Sequence, residues 1–159
     1  MSLDTALDTV EKTYQEIAQI ADEMLSETFT PINALIAEIN SSVNDLTVDQ
    51  LRDYMIRCQL RAYEISEMKD KSAVKAAVAE ALQKEQYARS FNEADGTAAV
   101  KGNIATLQCS KETVVESLYN LVSSLLKTKL DSLYRMVDTL KSILMSRMQE
   151  AKLTINAIE

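Results

Sequence analysis

Apolar residues in the last third of the chain recur at the spacing of a helical heptad. Six of them follow one another at steps of 4, 3, 4, 3 and 4: Leu126, Leu130, Leu133, Val137, Leu140 and Leu144. This spacing places them on one seam of a helix, as in a coiled coil. No Gly or Pro interrupts the sequence from Ser110 onward, so it predicts one helix of about 45 residues, roughly 65 Å long. Such a helix has to pack along another long helix, in the same chain or in a second copy.

A second heptad seam occupies the beginning of the chain. Its members are Leu3, Leu7, Val10, Tyr14, Ile17, Ala21 and Met24. We expect this helix to end near Thr28, and a short helix to begin with Thr30 as its cap and Pro31 at its first position. The residue before a proline disfavours the α conformation, so the pattern favours a break here over a kink in a continuous helix.

The middle of the chain predicts one further long helix and a bend. A loop is expected at residues 40–45, and Thr47 with Gln50 has the pattern of a capping box. A helix predicted over residues 48–90 follows, with an alanine-rich second half. Asp95-Gly96 is a turn signal. A weaker helical segment over residues 97–107, interrupted at Gly102, leads to the final helix over residues 111–155.

These elements predict an all-α protein with two regions. Residues 1–46 form an acidic N-terminal helical region, and residues 47–159 form a long, coiled-coil-like helical hairpin with its bend at residues 91–110. A hairpin of this length has more apolar edge than a small monomer buries comfortably, so we expect a homo-oligomer. The seams that would pack its helices contain Leu7, Val10, Ile17, Leu126, Leu130, Leu133, Val137, Leu140 and Leu144.

Charge is divided unevenly along the 159 residues. The net charge is −7, but residues 1–50 contain ten acids and one base, whereas residues 51–159 contain sixteen bases and fourteen acids. Overall acidity argues against nucleic-acid binding, and this division weakens that argument. Uncharged runs are far shorter than the roughly 20 apolar residues of a membrane span, and the first residues do not resemble a signal peptide. We therefore expect a cytoplasmic protein.

The residue types required for most catalytic and metal sites are missing. The sequence has no histidine, no Gly-rich phosphate loop, and two cysteines, Cys58 and Cys109, which are too far apart to form a CxxC pair. We therefore expect neither an enzyme nor a bound cofactor or metal. In a reducing compartment the cysteines are most simply small buried residues.

Two groups of bases are candidate phosphate contacts. One lies on the final helix and includes Lys127, Lys129 and Arg135. The other lies around the bend, where Lys84, Arg89 and Lys101 accompany Tyr87 and Phe91. Aromatic rings beside bases can stack single-stranded DNA. The alternatives are an ordinary solvated helix face for the first group and packing of the hairpin tip for the second.

The stretch around the bend resembles a pattern found in small bacteriophage proteins. It runs from Ala79-Glu80-Ala81-Leu82 to Glu93-Ala94-Asp95-Gly96-Thr97, with Lys101 following, and the two-helix plan is similar to that of UvsY-type recombination mediators over about residues 51–150. The resemblance implies a ring-like oligomer that loads a recombinase onto single-stranded DNA coated by its binding protein. It also implies that Lys84, Arg89 and Lys101 contact DNA. The acidic first 50 residues have no counterpart in this pattern.

Two hypotheses about function follow. The first is a non-catalytic phage-type recombination or replication accessory protein that binds single-stranded DNA and a recombinase or single-strand-binding protein, in the host cytoplasm. The second is an acidic structural or inhibitory interaction module, such as a virion or scaffold component or an inhibitor of a host DNA-acting or defence enzyme. The acidity of residues 1–50 motivates the second hypothesis, because dense carboxylates can imitate a phosphate backbone.

Overall fold

The chain folds into four α-helices. A computed structural model describes residues 3–156, with side chains described at residue 8 and over residues 10–153. The helices are α1 (Leu3–Ser42), α2 (Val48–Glu93), α3 (Ala98–Gln108) and α4 (Ser110–Asn156). The predicted all-α fold class is confirmed, since the described part of the chain contains these helices and no strand.

Helix α1 continues through Pro31, so the predicted break between residues 28 and 31 is wrong. A proline inside a helix removes one backbone hydrogen bond and costs about 3 kcal/mol. Ile32, Leu35 and Ile39, which follow it, are nearly completely buried. Burial of each such side chain contributes about 1.5–3 kcal/mol. Packing therefore outweighs the local preference for a break.

The ends of α2 and α3 follow the local signals closely. The Thr47 N–H donates to Gln50 Oε1 at 2.8 Å, and the Gln50 N–H donates to Thr47 Oγ1 at 3.3 Å. This is the predicted capping box. Gly96 adopts φ of 116° in the turn between α2 and α3, a conformation that L side chains rarely adopt.

The predicted interruption at Gly102 is wrong, because α3 runs through this residue.

The first of two compact units comprises Met1–Ser26 and Met68–Leu125. Its core is built mainly from small side chains: Ala21, Leu25, Ser72, Ala76, Ala79, Ser90, Ala105, Cys109 and Val122. Small residues allow helix backbones to approach closely, as the alanine-rich sequence of α2 predicts. Because each of them buries little apolar area, most contribute little stabilisation individually.

The second unit comprises Glu27–Glu67 and Leu126–Glu159. Large aliphatic side chains from α1, α2 and α4 fill its core. The seam on α4 is buried as predicted at Leu126, Leu130, Leu133, Val137 and Leu140, whereas Leu144 is half-buried. Each unit thus combines portions of α1, α2 and α4. The predicted division of the sequence at residue 46 rests on charge and pattern, and it stays a prediction.

The N-terminal seam is only partly covered within the chain. Val10 is 67% exposed and Tyr14 is 58% exposed, Ile17 is half-buried, and Ala21 is buried. The side chains of Leu3 and Leu7 lie outside the described residues. The role of Leu7, Val10 and Ile17 in an oligomer contact therefore stays a prediction.

The helical conformation of Pro31 generates a test of stability. Replacing Pro31 with Ala restores the missing N–H donor without removing a buried side chain, since Pro31 is exposed. We expect the free energy of unfolding to rise by about 1–2 kcal/mol, measured by urea denaturation followed by circular dichroism. Ala37→Pro in the same helix is the matched control and should lower it by about 3 kcal/mol. Loss of stability in Pro31→Ala would contradict a continuous α1.

Candidate functional site

A cavity lies beside the bend in the first unit, at the place where sequence reasoning locates a candidate site. Its volume is about 320 Å³. Its lining side chains come from the end of α2, from α3 and from the start of α4: Gln83, Lys84, Tyr87, Thr106, Cys109 and Thr113. The joint between α3 and α4 is a single residue, Cys109, which brings these three elements together around the cavity.

Most polar groups around this cavity already have partners within the chain. Gln83 Nε2 donates to Thr113 Oγ1 at 2.8 Å, and Thr113 Oγ1 donates to the carbonyl oxygen of Cys109 at 3.0 Å. Thr106 Oγ1 donates to the Gly102 carbonyl at 2.9 Å. The bond between Gln83 and Thr113 joins α2 to α4, and the other two are local bonds to the carbonyl four residues earlier, so the chain itself uses most of the polar lining.

Neither cysteine is prepared for nucleophilic chemistry. Cys58 in the second unit and Cys109 in the first unit are both buried and free, as predicted. Burial raises the pKa of the Cys58 thiol, and burial together with the nearby Glu112 carboxylate raises the pKa of the Cys109 thiol. The reactive thiolate is therefore disfavoured at both positions.

Two of the three bases predicted at the bend are engaged by acids on their own helix. Lys84 forms an ion pair with Glu80, which raises the pKa of the lysine, and Arg89 pairs with Glu85 at 3.1 Å. All four side chains are substantially exposed, so these pairs contribute little stability and exchange readily. Lys101 is half-buried on α3.

The two aromatic residues at the bend contact each other. The rings of Tyr87 and Phe91 stack with centroids 6.1 Å apart and an interplanar angle of 22°. The Tyr87 hydroxyl also approaches Gly102, at 3.5 Å from the place where a Cβ atom would lie. Tyr87 remains 40% exposed. Packing of the helix end accounts for the contact between the two rings, and part of the Tyr87 side chain remains exposed.

The bases of α4 in the second unit divide into two kinds. Lys129 donates to Asn33 Oδ1 at 2.7 Å and lies 5.1 Å from the centroid of the Phe29 ring, so it joins α4 to α1. Arg147 donates to the Asn44 carbonyl at 2.6 Å in the turn after α1. Lys127 and Arg135 are exposed. The predicted basic group therefore consists partly of packing residues.

A groove runs between α1 and α2 in the second unit. It has a volume of about 420 Å³ and is lined by Pro31, Ala34, Leu35, Glu38, Arg57, Leu60, Arg61 and Glu64. At one end the Tyr54 hydroxyl donates to Glu38 Oε1 at 2.7 Å, and Arg57 donates to Glu38 Oε2 at 3.2 Å. These bonds lower the pKa of Glu38, the tyrosine more than the arginine, and the carboxylate raises the pKa of Tyr54.

Helix α2 carries apolar side chains on two opposite faces in the second unit. Cys58, Ala62 and Ile65 are buried, whereas Ile56, Leu60 and Tyr63 are 56%, 61% and 74% exposed. The two sets are offset by two residues, which is about 200° around a helix. We refer to Ile56, Leu60 and Tyr63 as the α2 outer stripe. Sequence reasoning missed it, although the steps of 4 and 3 were present beside the buried seam.

The polar face of α1 in the first unit is dominated by carboxylates. Residues 8–24 contain five acids and one base, Lys12. All five carboxyl side chains are exposed: Asp8, Glu11, Glu16, Asp22 and Glu23. We refer to these five residues as the acidic face. Glu11 and Glu23 accept hydrogen bonds from Gln15 and Gln19, each four residues away on the same helix.

Comparisons of the chain with known proteins assign it to no family. No family model, no curated protein and no solved structure matches the chain. No group of three or more His, Cys, Asp or Glu residues is arranged to hold a metal ion within the described part of the chain. None of its described helices is both long and apolar enough to cross a membrane.

The network of Glu38, Tyr54 and Arg57 predicts a specific dependence of stability on pH. A carboxyl group with a lowered folded-state pKa stabilises the fold above its ordinary pKa, here 4.5, and loses that effect as pH falls through the folded-state value. Glu38→Gln should therefore be less stable than wild type at neutral pH, and the difference should shrink as pH is lowered below 4.5. Urea midpoints measured across this range provide the test.

The control for this series is Glu93→Gln at the exposed end of α2. It removes the same charge without touching the network, so its difference from wild type should show a weaker pH dependence. A difference between wild type and Glu38→Gln that stays constant with pH would contradict the role assigned to the network.

Proposed function

We propose that this protein is a non-catalytic, homo-oligomeric helical interaction module, which acts by binding other proteins through the surfaces of its helices. The observation that carries the proposal is the α2 outer stripe, three large apolar side chains exposed directly opposite a buried seam. A helix in a monomer needs one apolar face, and a second one is typical of a helix that also packs against a partner.

The first unit supports the same proposal. On its portion of α2, the buried positions are Ser72, Ala76 and Ala79, whereas Val74 and Val78 are 63% and 53% exposed. A monomer gains more by burying valine than alanine, because valine removes more apolar surface from water. On this part of α2 the valines are exposed and the smaller side chains are buried, which favours a second chain that covers the exposed face.

Contacts within the first unit also favour the finer architecture of a coiled-coil-like hairpin formed by α2 and α4. Gln83 bonds Thr113, and Lys75 lies 5.1 Å from the centroid of the Tyr119 ring. Moving backward along α2 thus corresponds to moving forward along α4, as in an antiparallel pair. The bend between them would lie at residues 91–110, as the sequence predicts.

Besides self-association, the acidic face of α1 indicates the chemistry of a second kind of protein partner. Five exposed carboxylates around a single lysine create a negative potential that attracts a basic protein surface. The uncovered seam at Val10 and Tyr14 lies on the same helix and offers apolar contact beside that charge. We therefore favour a basic, amphipathic protein partner, such as a nucleic-acid-binding protein whose phosphate site the carboxylates occupy.

Substitution of the acidic face provides the test of this partner. Glu11→Gln, Glu16→Gln and Glu23→Gln together should weaken binding of a fluorescent Lys/Arg-rich helical peptide by about tenfold or more at low salt, because charge-assisted attraction is lost. Fluorescence anisotropy is the measurement, and wild-type affinity should fall as salt rises. Removing residues 1–46 is unsuitable, because buried Ile32 and Ile39 would be lost.

The matched control removes three exposed acids elsewhere. Asp45→Asn, Glu93→Gln and Asp131→Asn change the net charge equally and lie outside the acidic face. This variant should retain affinity for the peptide within about threefold. Equal loss in both variants would attribute binding to net charge alone and contradict a defined acidic face.

A second candidate function is single-stranded DNA binding in recombination or replication, as the resemblance to UvsY-type mediators implies. The observation that favours it is the exposed edge of Tyr87 in its stack with Phe91, beside the bases of the bend. Because Lys84 and Arg89 are held only by exposed pairs, phosphates can replace Glu80 and Glu85 as their partners. Lys101, Lys127 and Arg135 would add further phosphate contacts.

Charge reversal at the bend tests this second function. Lys84→Glu, Arg89→Glu and Lys101→Glu together should abolish binding of a labelled oligodeoxythymidine at low salt and leave the circular dichroism spectrum unchanged. The control variant, Lys12→Glu with Lys71→Glu and Lys152→Glu, reverses three other exposed bases. Affinity that is equal in the two variants would assign binding to overall charge. Absence of wild-type binding would reject this function.

A further inference from the structure

The last turns of α4, in the second unit, contribute few side chains to the core. The buried seam of this helix ends before them, and Leu144 is already half-buried. Of the side chains described after Leu144, over residues 145–153, Arg147 alone is not exposed. Met145 and Leu153, for example, are 67% and 69% exposed. Burial of apolar area therefore does little to hold these turns in place, and the contacts of Arg147 become the ones to consider.

Arg147 binds two backbone carbonyls in the turn that follows α1. Its guanidinium donates to the Asn44 carbonyl at 2.6 Å and to the Val43 carbonyl at 3.5 Å. The preceding carbonyl, that of Ser42, accepts a hydrogen bond from the Asp45 N–H at 2.9 Å. Carbonyls at the C-terminus of a helix have no partner within the helix. The end of α1 is thus completed partly by its own turn and partly by a side chain from α4.

Helix α1 has no cation of its own at this end. Its last turn contains no base. A left-handed glycine does not end it either, since Gly96 is the one residue with positive φ in the described part of the chain. The C-terminus of a helix carries a partial negative charge, which a nearby cation stabilises. The exposed Asp45 adds a full negative charge in the turn. Arg147 supplies the positive charge that this end requires.

We propose that Arg147 is a latch between α4 and the turn after α1. When the latch is closed, it caps the end of α1 and holds residues 145–153 of α4 in place. When it opens, both segments gain mobility together, and the leucine core of the second unit stays intact. The latch therefore opens at a lower free energy than global unfolding. It needs no partner, and it links two positions that are 103 residues apart in sequence.

Hydrogen–deuterium exchange of the full chain, read by mass spectrometry, is the first measurement. Arg147→Ala should raise exchange by about tenfold in residues 42–47 and in residues 145–153, because hydrogen bonds from a charged group are lost. Exchange over residues 126–140, which carry the buried seam, should stay within about twofold of wild type. Unchanged exchange in either segment would overturn the latch. A similar rise over residues 126–140 would show that Arg147 supports the whole unit and would overturn it as well.

The matched control is Arg135→Ala. It removes the same side chain from the same helix at an exposed position, so exchange in residues 42–47 and 145–153 should stay within about twofold of wild type. A rise equal to that of Arg147→Ala would attribute the effect to the lost charge of α4 and contradict a specific contact.

A base placed on α1 separates the two roles of the latch. Asn40 is exposed in the last turn of α1, and Asn40→Lys introduces the cation that this turn lacks. When it is combined with Arg147→Ala, exchange in residues 42–47 should fall by about threefold relative to Arg147→Ala alone. Exchange in residues 145–153 should stay as fast as in Arg147→Ala. Recovery of both segments, or of neither, would overturn the proposal.

Discussion

Burial of the leucines of α4 is the interaction on which the second unit depends. Leu126, Leu133 and Leu140 are completely buried, and each contributes about 1.5–3 kcal/mol through removal of apolar area from water. The exposed ion pairs nearby are worth at most about 1 kcal/mol each. The polar contacts of Lys129 and Arg147 therefore orient α1 and the turn after it, and the aliphatic core supplies most of the stability. Burial of Ile32, Leu35 and Ile39 in this core keeps α1 helical through Pro31.

The first unit is organised by close approach of small side chains. Ala76 and Ala79 face the core, whereas Val74 and Val78 on the same helix are exposed. The unit thereby leaves the larger side chains exposed and buries the smaller ones at these positions. This arrangement is unfavourable for an isolated chain and favourable for one whose outer faces are covered. The bend cavity differs from these uncovered apolar faces in that its polar lining is already engaged. Hydrogen bonds among Gln83, Thr113 and Cys109 use most of its polar groups.

Sequence reasoning was most successful where a local rule has a single structural outcome. The capping box at Thr47, the turn at Gly96 and the buried seam on α4 each follow from backbone geometry or from heptad spacing. It was wrong at Pro31, where packing of residues distant in sequence outweighed a local preference. It also missed the α2 outer stripe, since periodicity identifies an apolar face and does not state whether the same chain covers it. At the bend, it located the bases but not the acids one turn away that engage Lys84 and Arg89.

The acids beside the bases of the bend, Glu80 and Glu85, favour a protein over a nucleic acid as the partner. A phosphate that replaces Glu80 beside Lys84 leaves that carboxylate exposed next to the DNA backbone, and repulsion between the two anions offsets part of the attraction. The conflict is smaller on the acidic face of α1, where one lysine accompanies five carboxylates. A basic surface is attracted there by the five carboxylates and repelled by Lys12. In the proposed assembly, the apolar faces of α2 and the uncovered end of the α1 seam would add contacts that do not depend on salt, and stable protein assemblies combine apolar and charged contacts in this way.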